Sequence, residues 1–382
     1  MDLTPDVVLA MNVGSSSLKA AVRDPELRLR VHAAGLTRDG GDLEVTRPDG
    51  PQLLAPLPDG WAAAVPSVAE ALMAAGVTPT VVAHRIVLGS DLLPGPRVAD
   101  EELIAQLRRE TRRAPLHLPR QLDVVAEACD QWPAARVVLC PDSGFHHGLP
   151  DEEKALALPA EARAAGLRRW GFHGLAVESV VDGLPDLGAA VIAHLGSGCS
   201  VTAVAGGSPR HTTMSVSPAG GIPSMTRSGD LDPEVVLQLL DAQDGDVAAV
   251  RQLLNQASGV AGLAGGRADV RELLVAPDPA ADLALRVFTR DVAMAVGGAV
   301  TTLDHWDALV FTGGIGTGSA EIRDRVCARL LPLRPGAAQE PGRPSEQLAA
   351  SGLRVLVVSV DEEAVMDRVT RSVLRQTAVG LS

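Results

Sequence analysis

The sequence is almost without lysine and has few aromatic residues. Lys19 and Lys154 are the two lysines among 382 residues, and aromatic residues make up 2% of the chain, with no tyrosine. Acidic residues outnumber basic ones, so the formal net charge is −13. An acidic chain with no basic run and few stacking rings is a poor candidate for binding nucleic acid or an anionic membrane. A few locally placed cations, nearly all arginines, must therefore bind any anionic ligand.

Cysteine is also scarce, and its spacing excludes two classes of site. The four cysteines form no CxxC pair, which argues against a zinc site and against a disulfide framework. Residues 1–6 carry two acids and no basic residue, so no signal peptide is indicated. The longest apolar stretch, residues 187–207, is interrupted by a histidine and by several glycines and serines, which excludes a membrane span. We expect a soluble cytoplasmic protein.

The order of apolar runs predicts an α/β protein of two or three domains. Residues 7–11 and 18–22 flank a Gly/Ser turn and predict a hairpin. Further strands are expected at 27–31, 80–87, 136–140, 191–194, 201–204, from 308 and at 355–360. Helices are expected in the later part of 59–76, at 100–109, at 117–129 and from near 319. Residues 334–345 are rich in proline and glycine and predict a surface loop.

Three glycine-rich turns each follow an apolar strand, at residues 14–17, 196–200 and 313–318. Such turns expose backbone N–H groups that can bind phosphate oxygens, although each taken singly is more often a plain hairpin turn. Together they favour a nucleotide site. The first two turns lie in similar hairpins, which indicates a duplicated architecture, with chance similarity as the alternative. The sequence contains neither a P-loop nor the protein-kinase motifs.

Three polar residues stand in unusual places. Arg85 interrupts an apolar strand, so it either meets an anion or lies solvated on an edge strand. Arg227 lies in a turn-rich segment that could equally be a solvated loop. His173 is flanked by glycines in Gly171-Phe-His-Gly174, and a lone histidine of this kind is more often structural than catalytic.

Together these segments resemble the acetate kinase family, in the acetate and sugar kinase/actin-like ATPase superfamily. Ten stretches carry the resemblance in the family's order: residues 12–19, 84–89, 114–117, 141–146, 168–174, 194–198, 226–233, 269–271, 311–316 and 361–363. The resemblance implies α/β architecture with two ribonuclease-H-like (actin-like ATPase) domains flanking a central cleft. We expect an N-terminal acyl-kinase domain of residues 1–142 plus 366–382 and a nucleotide-binding domain of residues 143–365.

The resemblance also implies a reaction and its ligands. The protein would transfer the γ-phosphoryl group of ATP reversibly to acetate, giving ADP and acetyl phosphate, with Mg²⁺ or Mn²⁺ and as a cytoplasmic homodimer. Rival readings are a kinase for propionate or another short fatty acid, and a nucleotide-binding paralogue that turns over poorly. No nucleic-acid or membrane partner is expected.

The resemblance gives each matching residue a role. Arg85 and Arg227 would flank the carboxylate and the transferring group, His173 would donate to an equatorial oxygen, and His117 and Asp142 would orient the acyl group. Asn12 and Glu362 would hold the metal. The methyl pocket would be lined by Val87, Leu116, Phe172 and Pro218. The nucleotide would be bound by Ser15, Ser17, Lys19, His194, Gly196, Gly198, Asp269, Arg271, Gly314 and Arg323.

Several positions depart from the family pattern. Leu88 stands where the family usually has histidine, Leu118 and Ser197 where it has asparagine, and Trp170 where it has tyrosine. Thr317 and Gly318 replace a Glu-Asn pair. The presumed catalytic residues are all retained, which favours an active kinase over the non-enzymatic paralogue.

Overall fold

The computed structural model describes residues 6–14, 16–24, 26–37, 41–48, 50, 52–57, 59–334 and 342–379. Its strands and helices, in chain order, are β1 Val8–Val13, β2 Ser17–Asp24, β3 Glu26–Ala34, β4 Gly41–Thr46, β5 Leu53–Leu57, α1 Trp61–Ala74, β6 Val81–Ile86, β7 Arg97–Val98, α2 Glu101–Arg109, α3 Leu118–Gln131, β8 Arg136–Pro141, α4 Asp151–Lys154, α5 Ala160–Ala164, α6 Gly174–Gly183, β9 Ala190–Leu195, β10 Cys199–Ala205, β11 Ser208–Thr212, α7 Pro233–Ala242, α8 Val247–Gln256, α9 Gly259–Leu263, α10 Val270–Val275, α11 Pro279–Val300, β12 Ala308–Thr312, α12 Gly313–Gly318, α13 Ala320–Leu330, α14 Pro344–Ala350, β13 Arg354–Val357 and α15 Glu362–Val379.

The chain divides into two compact units. The first unit comprises the described residues up to Gly144 together with those from Asp361 onward, and the second unit is Phe145–Val360. Residues 361–365, which the sequence analysis placed in the nucleotide-binding domain, group with the first unit. Glu362 therefore belongs to the same unit as Asn12 and Arg85.

Each unit is built on a sheet with the same central order. The first sheet runs β5-β4-β3-β2-β1-β6-β8-β7, and the second runs β11-β10-β9-β12-β13. In both, two antiparallel pairings (β3-β2-β1 and β11-β10-β9) are followed by two parallel ones (β1-β6-β8 and β9-β12-β13). The shared order confirms the expected duplication and the two-domain actin-like fold.

The parallel strands are buried because helices cover them. All six residues of β1 and all five of β12 are buried, so these strands read as continuous apolar runs rather than as alternating ones. In the first unit, α1 and α3 supply Val68, Leu72 and Val124 to the core beneath the sheet. In the second, the long helix α11 supplies Phe288 and its neighbours. Because the faces of the parallel strands are covered, the carboxyl ends of these strands are where polar residues can lie.

Most predicted elements are confirmed, and three predictions are wrong in part. Residues 313–318 are not a turn but the short helix α12, which begins at Gly313 with φ of 77°. Arg323 donates from Nη1 to the carbonyls of Gly316 and Thr317. It thereby gives a hydrogen-bond partner to carbonyls at the end of α12 that have none within the helix. The strand predicted at 355–360 ends at Val357. Of the loop predicted at 334–345, residues 335–341 lie outside the described residues, and Pro344 already begins α14.

Candidate active site

Arg85 is fixed at the carboxyl end of a central strand. It lies on β6, which pairs with β1 on one side and β8 on the other, so the edge-strand alternative is wrong. Its Nη2 donates to Asp142 Oδ2 at 2.8 Å, and the two side chains are 14% and 1% exposed. Burial by itself would lower the pKa of Arg85, but the carboxylates of Asp142, Glu362 and Glu363 raise it above its usual value. The strand therefore holds a permanent cation.

Asn12 and two glutamates lie beside this arginine. Asn12 Nδ2 donates to Glu362 Oε2 at 2.7 Å and to Glu363 Oε1 at 2.9 Å, while its Oδ1 accepts from Arg85 Nη1 at 3.5 Å. Burial raises the pKa of Glu363, and the hydrogen bond from Asn12 partly opposes that rise. Arg85, Asp142, Asn12, Glu362 and Glu363 thus form one charged group, which we call the carboxylate cluster.

Asp361 fixes the helix that supplies the glutamates. Its Oδ1 accepts from the backbone N–H of Ala364, which caps the start of α15. Its Oδ2 forms ion pairs with Arg23 on β2 and with Arg30 on β3. Because three elements hold Asp361, the first turn of α15 is anchored to the sheet.

The carboxylate cluster offers oxygen ligands of the kind that hard divalent cations prefer. The cluster carries the oxygens of three carboxylates and one side-chain amide. Among the described residues, no group of three His, Cys, Asp or Glu side chains is arranged as a ready metal centre. The donor set therefore fits a cation bound through few protein oxygens, with water or phosphate completing its shell.

Three other predicted residues of the first unit lie near the ends of β6 and α3. Val87 directly follows β6, is 3% exposed, and donates its backbone N–H to Gln121 Oε1 at 2.8 Å. His117 immediately precedes α3 and donates its backbone N–H to Ala114 O at 3.1 Å. Leu116 is 40% exposed.

The predicted first phosphate turn is a tight hairpin end. The backbone N–H of Gly14 donates to the carbonyl of Ser17 at 2.8 Å. Lys19 lies opposite Asn12 in the β1–β2 register and is exposed. Ser15 lies outside the described residues.

In the second unit, Arg227 and His173 converge on Gly198. A β-carbon added to Gly198 would lie 2.7 Å from Arg227 Nη1 and 3.2 Å from His173 Nε2. Arg227 Nη1 also donates to the carbonyl of Pro218 at 3.2 Å. Because Gly198 has no side chain, the Arg227 guanidinium and the His173 ring can approach the backbone of this loop.

The orientation of His173 is determined by its backbone and one buried hydroxyl. Its φ of 60° and ψ of 27° lie in the left-handed region, which is uncommon for a residue other than glycine. Its Nδ1 lies 3.0 Å from Ser200 Oγ, and the ring centroids of His173 and His194 are 4.5 Å apart. With Nδ1 engaged by Ser200, Nε2 is the nitrogen that faces Gly198. A left-handed residue held in this way is typical of functional sites.

The second and third glycine segments meet next to this group. A β-carbon on Gly196 would lie 3.8 Å from His194 Nε2 and 4.0 Å from the backbone nitrogen of Gly314. One on Gly313 would lie 2.5 Å from the carbonyl oxygen of Leu195, so the end of β9 and the start of α12 are in close backbone contact. His173, His194, Gly196, Gly198, Arg227 and Gly314 together form what we call the glycine cluster.

Four other predicted residues of the second unit lie outside the glycine cluster. Asp269 caps α10 and forms an exposed ion pair with Arg271, whose hydrogen bond lowers the pKa of Asp269 to about 2. Arg323 binds the last carbonyls of α12, as described above, so it shapes the loop that carries Gly314. Phe172 is 1% exposed and belongs to the buried interior.

Three residues with no role predicted from the sequence bind predicted site residues. Glu363 shares the amide of Asn12 with Glu362, Ser200 binds His173, and Gln121 binds Val87. Glu363 was present in the acidic triplet 361–363 and could have been found there. Nothing in the local sequence marks Ser200 or Gln121, since each acts on a residue distant in the chain.

Among the described residues, no helix has the length and hydropathy needed to cross a membrane. The strongly apolar stretch at 187–207 instead forms the hairpin of β9 and β10.

Comparison with known proteins gives the family. A model described as the Acetokinase family matches residues 7–368. An acetate kinase of Rhodopseudomonas palustris (strain TIE-1) is 36% identical over 345 residues, covering 84% of this chain and 85% of that relative. A propionate kinase of Edwardsiella piscicida is 32% identical over 383 residues, covering 94% of each.

A solved structure agrees with both sequence comparisons. The crystal structure of Porphyromonas gingivalis acetate kinase is 27% identical, with a TM-score of 0.80, and the match covers 97% of this chain and 100% of that one. The resemblance read from the sequence motifs is thereby confirmed. The chain belongs to the acetokinase family, and it is a phosphotransferase that reversibly transfers the γ-phosphoryl group of ATP to acetate, giving ADP and acetyl phosphate.

Proposed function

We propose that the carboxylate cluster binds the acyl acceptor and the metal, and that the glycine cluster binds the phosphates of ATP. The observation that carries this proposal is the convergence of Arg227 Nη1 and His173 Nε2 on Gly198 in a glycine-rich loop. Backbone N–H groups and fixed cations are what the developing charge of a transferring phosphoryl group requires.

In the proposed reaction, an acetate oxygen attacks the γ-phosphorus while the bond to the bridging β,γ-oxygen breaks, and ADP leaves. Arg85 binds the acetate carboxylate, since a guanidinium can donate to both oxygens. Arg227 and His173 donate to equatorial oxygens of the transferring group. For this role His173 needs its proton on Nε2, and the Ser200 hydroxyl, 3.0 Å from Nδ1, would hold that tautomer by donating to Nδ1. Asp142 keeps Arg85 in place and takes no proton.

We assign the metal role to Mg²⁺ held near Asn12 and Glu362. Mg²⁺ prefers oxygen ligands, keeps several waters and is usually held by one or two carboxylates together with substrate phosphates. When bound, it would neutralise phosphate charge. Glu363 supports the same group by sharing the Asn12 amide, which aims the Oδ1 of Asn12 away from the glutamates.

For the acyl group, we propose that Val87 borders the acetate methyl, together with Leu116, Phe172 and Pro218. The support from the first unit is that Val87 lies two residues after Arg85 and is buried directly after the strand that carries Arg85. A pocket bordered by an isopropyl group favours a methyl over longer chains. We therefore propose acetate as the preferred acceptor, with propionate as a slower one.

We further propose a homodimer in the cytoplasm, where ATP is available. Support for the dimer comes from α7 and its surroundings, where apolar side chains remain uncovered: Leu231, Val235, Leu237 and Val247 are 40–55% exposed. Val235 and Leu237 lie on α7, Leu231 precedes it and Val247 begins α8, and exposed apolar side chains of this kind are found at protein interfaces. A Leu237→Glu variant that stays dimeric in light scattering would contradict this interface.

The proposed roles are tested by substitution of the two arginines. Arg85→Ala and Arg227→Ala should each lower kcat by roughly two to four orders of magnitude, as expected when a preorganised charge donor is removed. Arg→Lys at either position should recover little, because lysine lacks the planar fork. A folded Arg227→Ala enzyme with near wild-type turnover would refute the assignment. Arg286→Ala is the matched control, because Arg286 is 58% exposed on α11, pairs with Asp282 and has no assigned role in the site.

A further inference from the structure

Gln121 is a fully buried amide that joins two strand ends behind the carboxylate cluster. It lies in the first turn of α3 and is 1% exposed. Its Oε1 accepts from the backbone N–H of Val87 at 2.8 Å, and its Nε2 donates to the carbonyl of Val13 at 3.1 Å. Because a backbone N–H can only donate and a carbonyl can only accept, this is the orientation of the amide that satisfies both groups.

These two hydrogen bonds lie just beyond the point where the backbone pairing of β1 with β6 ends. The β1–β6 register ends at Met11 opposite His84, so Val13 and Val87 lie beyond the last paired residues. On the other side of β6, Asp142 N–H still donates to Ile86 O at 2.7 Å. Beyond the last backbone pair of β1 and β6, the side-chain amide of Gln121 therefore bridges the two strand ends in the way that a peptide group of a neighbouring strand would.

The same carbonyl of Val13 also accepts from Arg85 Nη1, at 3.3 Å. Gln121 therefore fixes a carbonyl that orients the Arg85 guanidinium and, with its other end, fixes the backbone of Val87. Both residues are assigned to the acceptor in the proposed function, on which this inference rests. We propose that Gln121 is a positioning residue that sets the register between the carboxylate-binding arginine and the residue that borders the acyl chain.

This role predicts a specific kinetic pattern. Gln121→Met keeps a similar volume and removes both hydrogen bonds. A misplacement of the reacting groups by about 1 Å can cost roughly 100-fold in rate, so we expect kcat with acetate to fall by about 10- to 100-fold. The acetate-to-propionate ratio of kcat/KM should move at least about threefold toward parity, and KM for ATP should stay within about twofold. Val124→Ala is the control, since Val124 is 1% exposed on the same helix and belongs to the apolar core.

A second variant separates positioning from mere structural support. Gln121→Glu keeps an acceptor for Val87 N–H, but when ionised it loses the donor to Val13 O. Burial raises the pKa of such a carboxyl group, the Arg85 guanidinium that donates to the same Val13 carbonyl opposes that rise, and the protonated form of the carboxyl donates again. Activity relative to wild type at the same pH should therefore recover as the pH is lowered for Gln121→Glu and stay flat for Gln121→Met.

The outcomes distinguish this inference from the proposed function. If a folded Gln121→Met enzyme keeps its kcat and its acyl ratio while Arg85→Ala is inactive, Gln121 has no positioning role and the function stands. If Arg85→Ala keeps full activity, the proposed function itself fails. Should Gln121→Met not fold, the pH comparison with Gln121→Glu decides alone, and absence of recovery at the lower pH overturns the inference.

Discussion

Substitution of Gly198 by alanine tests the geometry of the glycine cluster most sharply. The added β-carbon would lie 2.7 Å from Arg227 Nη1, whereas ordinary contact begins at 3.4 Å. The guanidinium must therefore retreat by about 0.7 Å, which also strains its hydrogen bond to the Pro218 carbonyl. Gly198 has no positive φ, so alanine brings no backbone strain of its own.

The expected loss follows from the displacement. If about 1 Å of misplacement costs roughly 100-fold, a retreat of about 0.7 Å should lower kcat by roughly 10- to 30-fold, or about 1.4–2 kcal/mol of barrier. KM for acetate should change little, because Arg85 binds that substrate in the proposed mechanism. Acetyl phosphate formation at saturating ATP measures the effect.

The control is Gly298→Ala in α11, where an added β-carbon meets nothing within 4 Å. Alanine there should leave kcat unchanged and should stabilise the helix by up to about 1 kcal/mol. A folded Gly198→Ala enzyme whose kcat lies within twofold of wild type would refute the convergence of Arg227 and His173 on this loop.

Three further predictions concern other parts of the molecule. Val87→Ala should narrow or reverse the preference for acetate over propionate, and an unchanged ratio of kcat/KM would exclude Val87 from the acyl pocket. Glu362→Ala should raise the Mg²⁺ concentration needed for half-maximal rate without altering the fold, and an identical Mg²⁺ titration would contradict the metal assignment. Burial lowers the pKa of His84 to about 3. Below about pH 6.5 this histidine is therefore protonated in the unfolded chain but stays neutral in the folded chain, which lowers the free energy of unfolding as the pH falls. Wild type should therefore lose about 2 kcal/mol more than His84→Leu between pH 7 and pH 5 in urea unfolding, and equal losses would show that His84 is not held neutral.

The sequence was sufficient for elements that depend on neighbouring residues. The hairpin of β1 and β2 was predicted because two apolar runs flank a short Gly/Ser turn. The central strands were predicted because burial on both faces makes them continuously apolar. Residues 313–318 were mistaken for a turn because glycine has low helix propensity, whereas contacts with β9 and with Arg323 stabilise the helix.

The sequence was not sufficient for contacts between distant residues. Arg85 could be read as solvated or as paired, and only the position of Asp142, 57 residues away, decides for pairing. Gln121 lies 108 residues from Val13 and 34 residues from Val87, so no local pattern links it to either. Motif resemblance did indicate most residues of both clusters, because each cluster is carried by short segments at strand ends.

Arg85 and Arg227 have the decisive roles in the proposed transfer of a phosphoryl group from ATP to acetate. Trapping of acyl phosphate as the hydroxamate, with ATP, Mg²⁺ and equal concentrations of acetate, propionate and butyrate in separate reactions, tests it most directly. We expect rapid product formation with acetate, slower formation with propionate, almost none with butyrate, and near-complete loss of product for Arg227→Ala. Absence of acetyl hydroxamate from the folded wild-type protein, or equal rates for wild type and Arg227→Ala, would contradict this expectation.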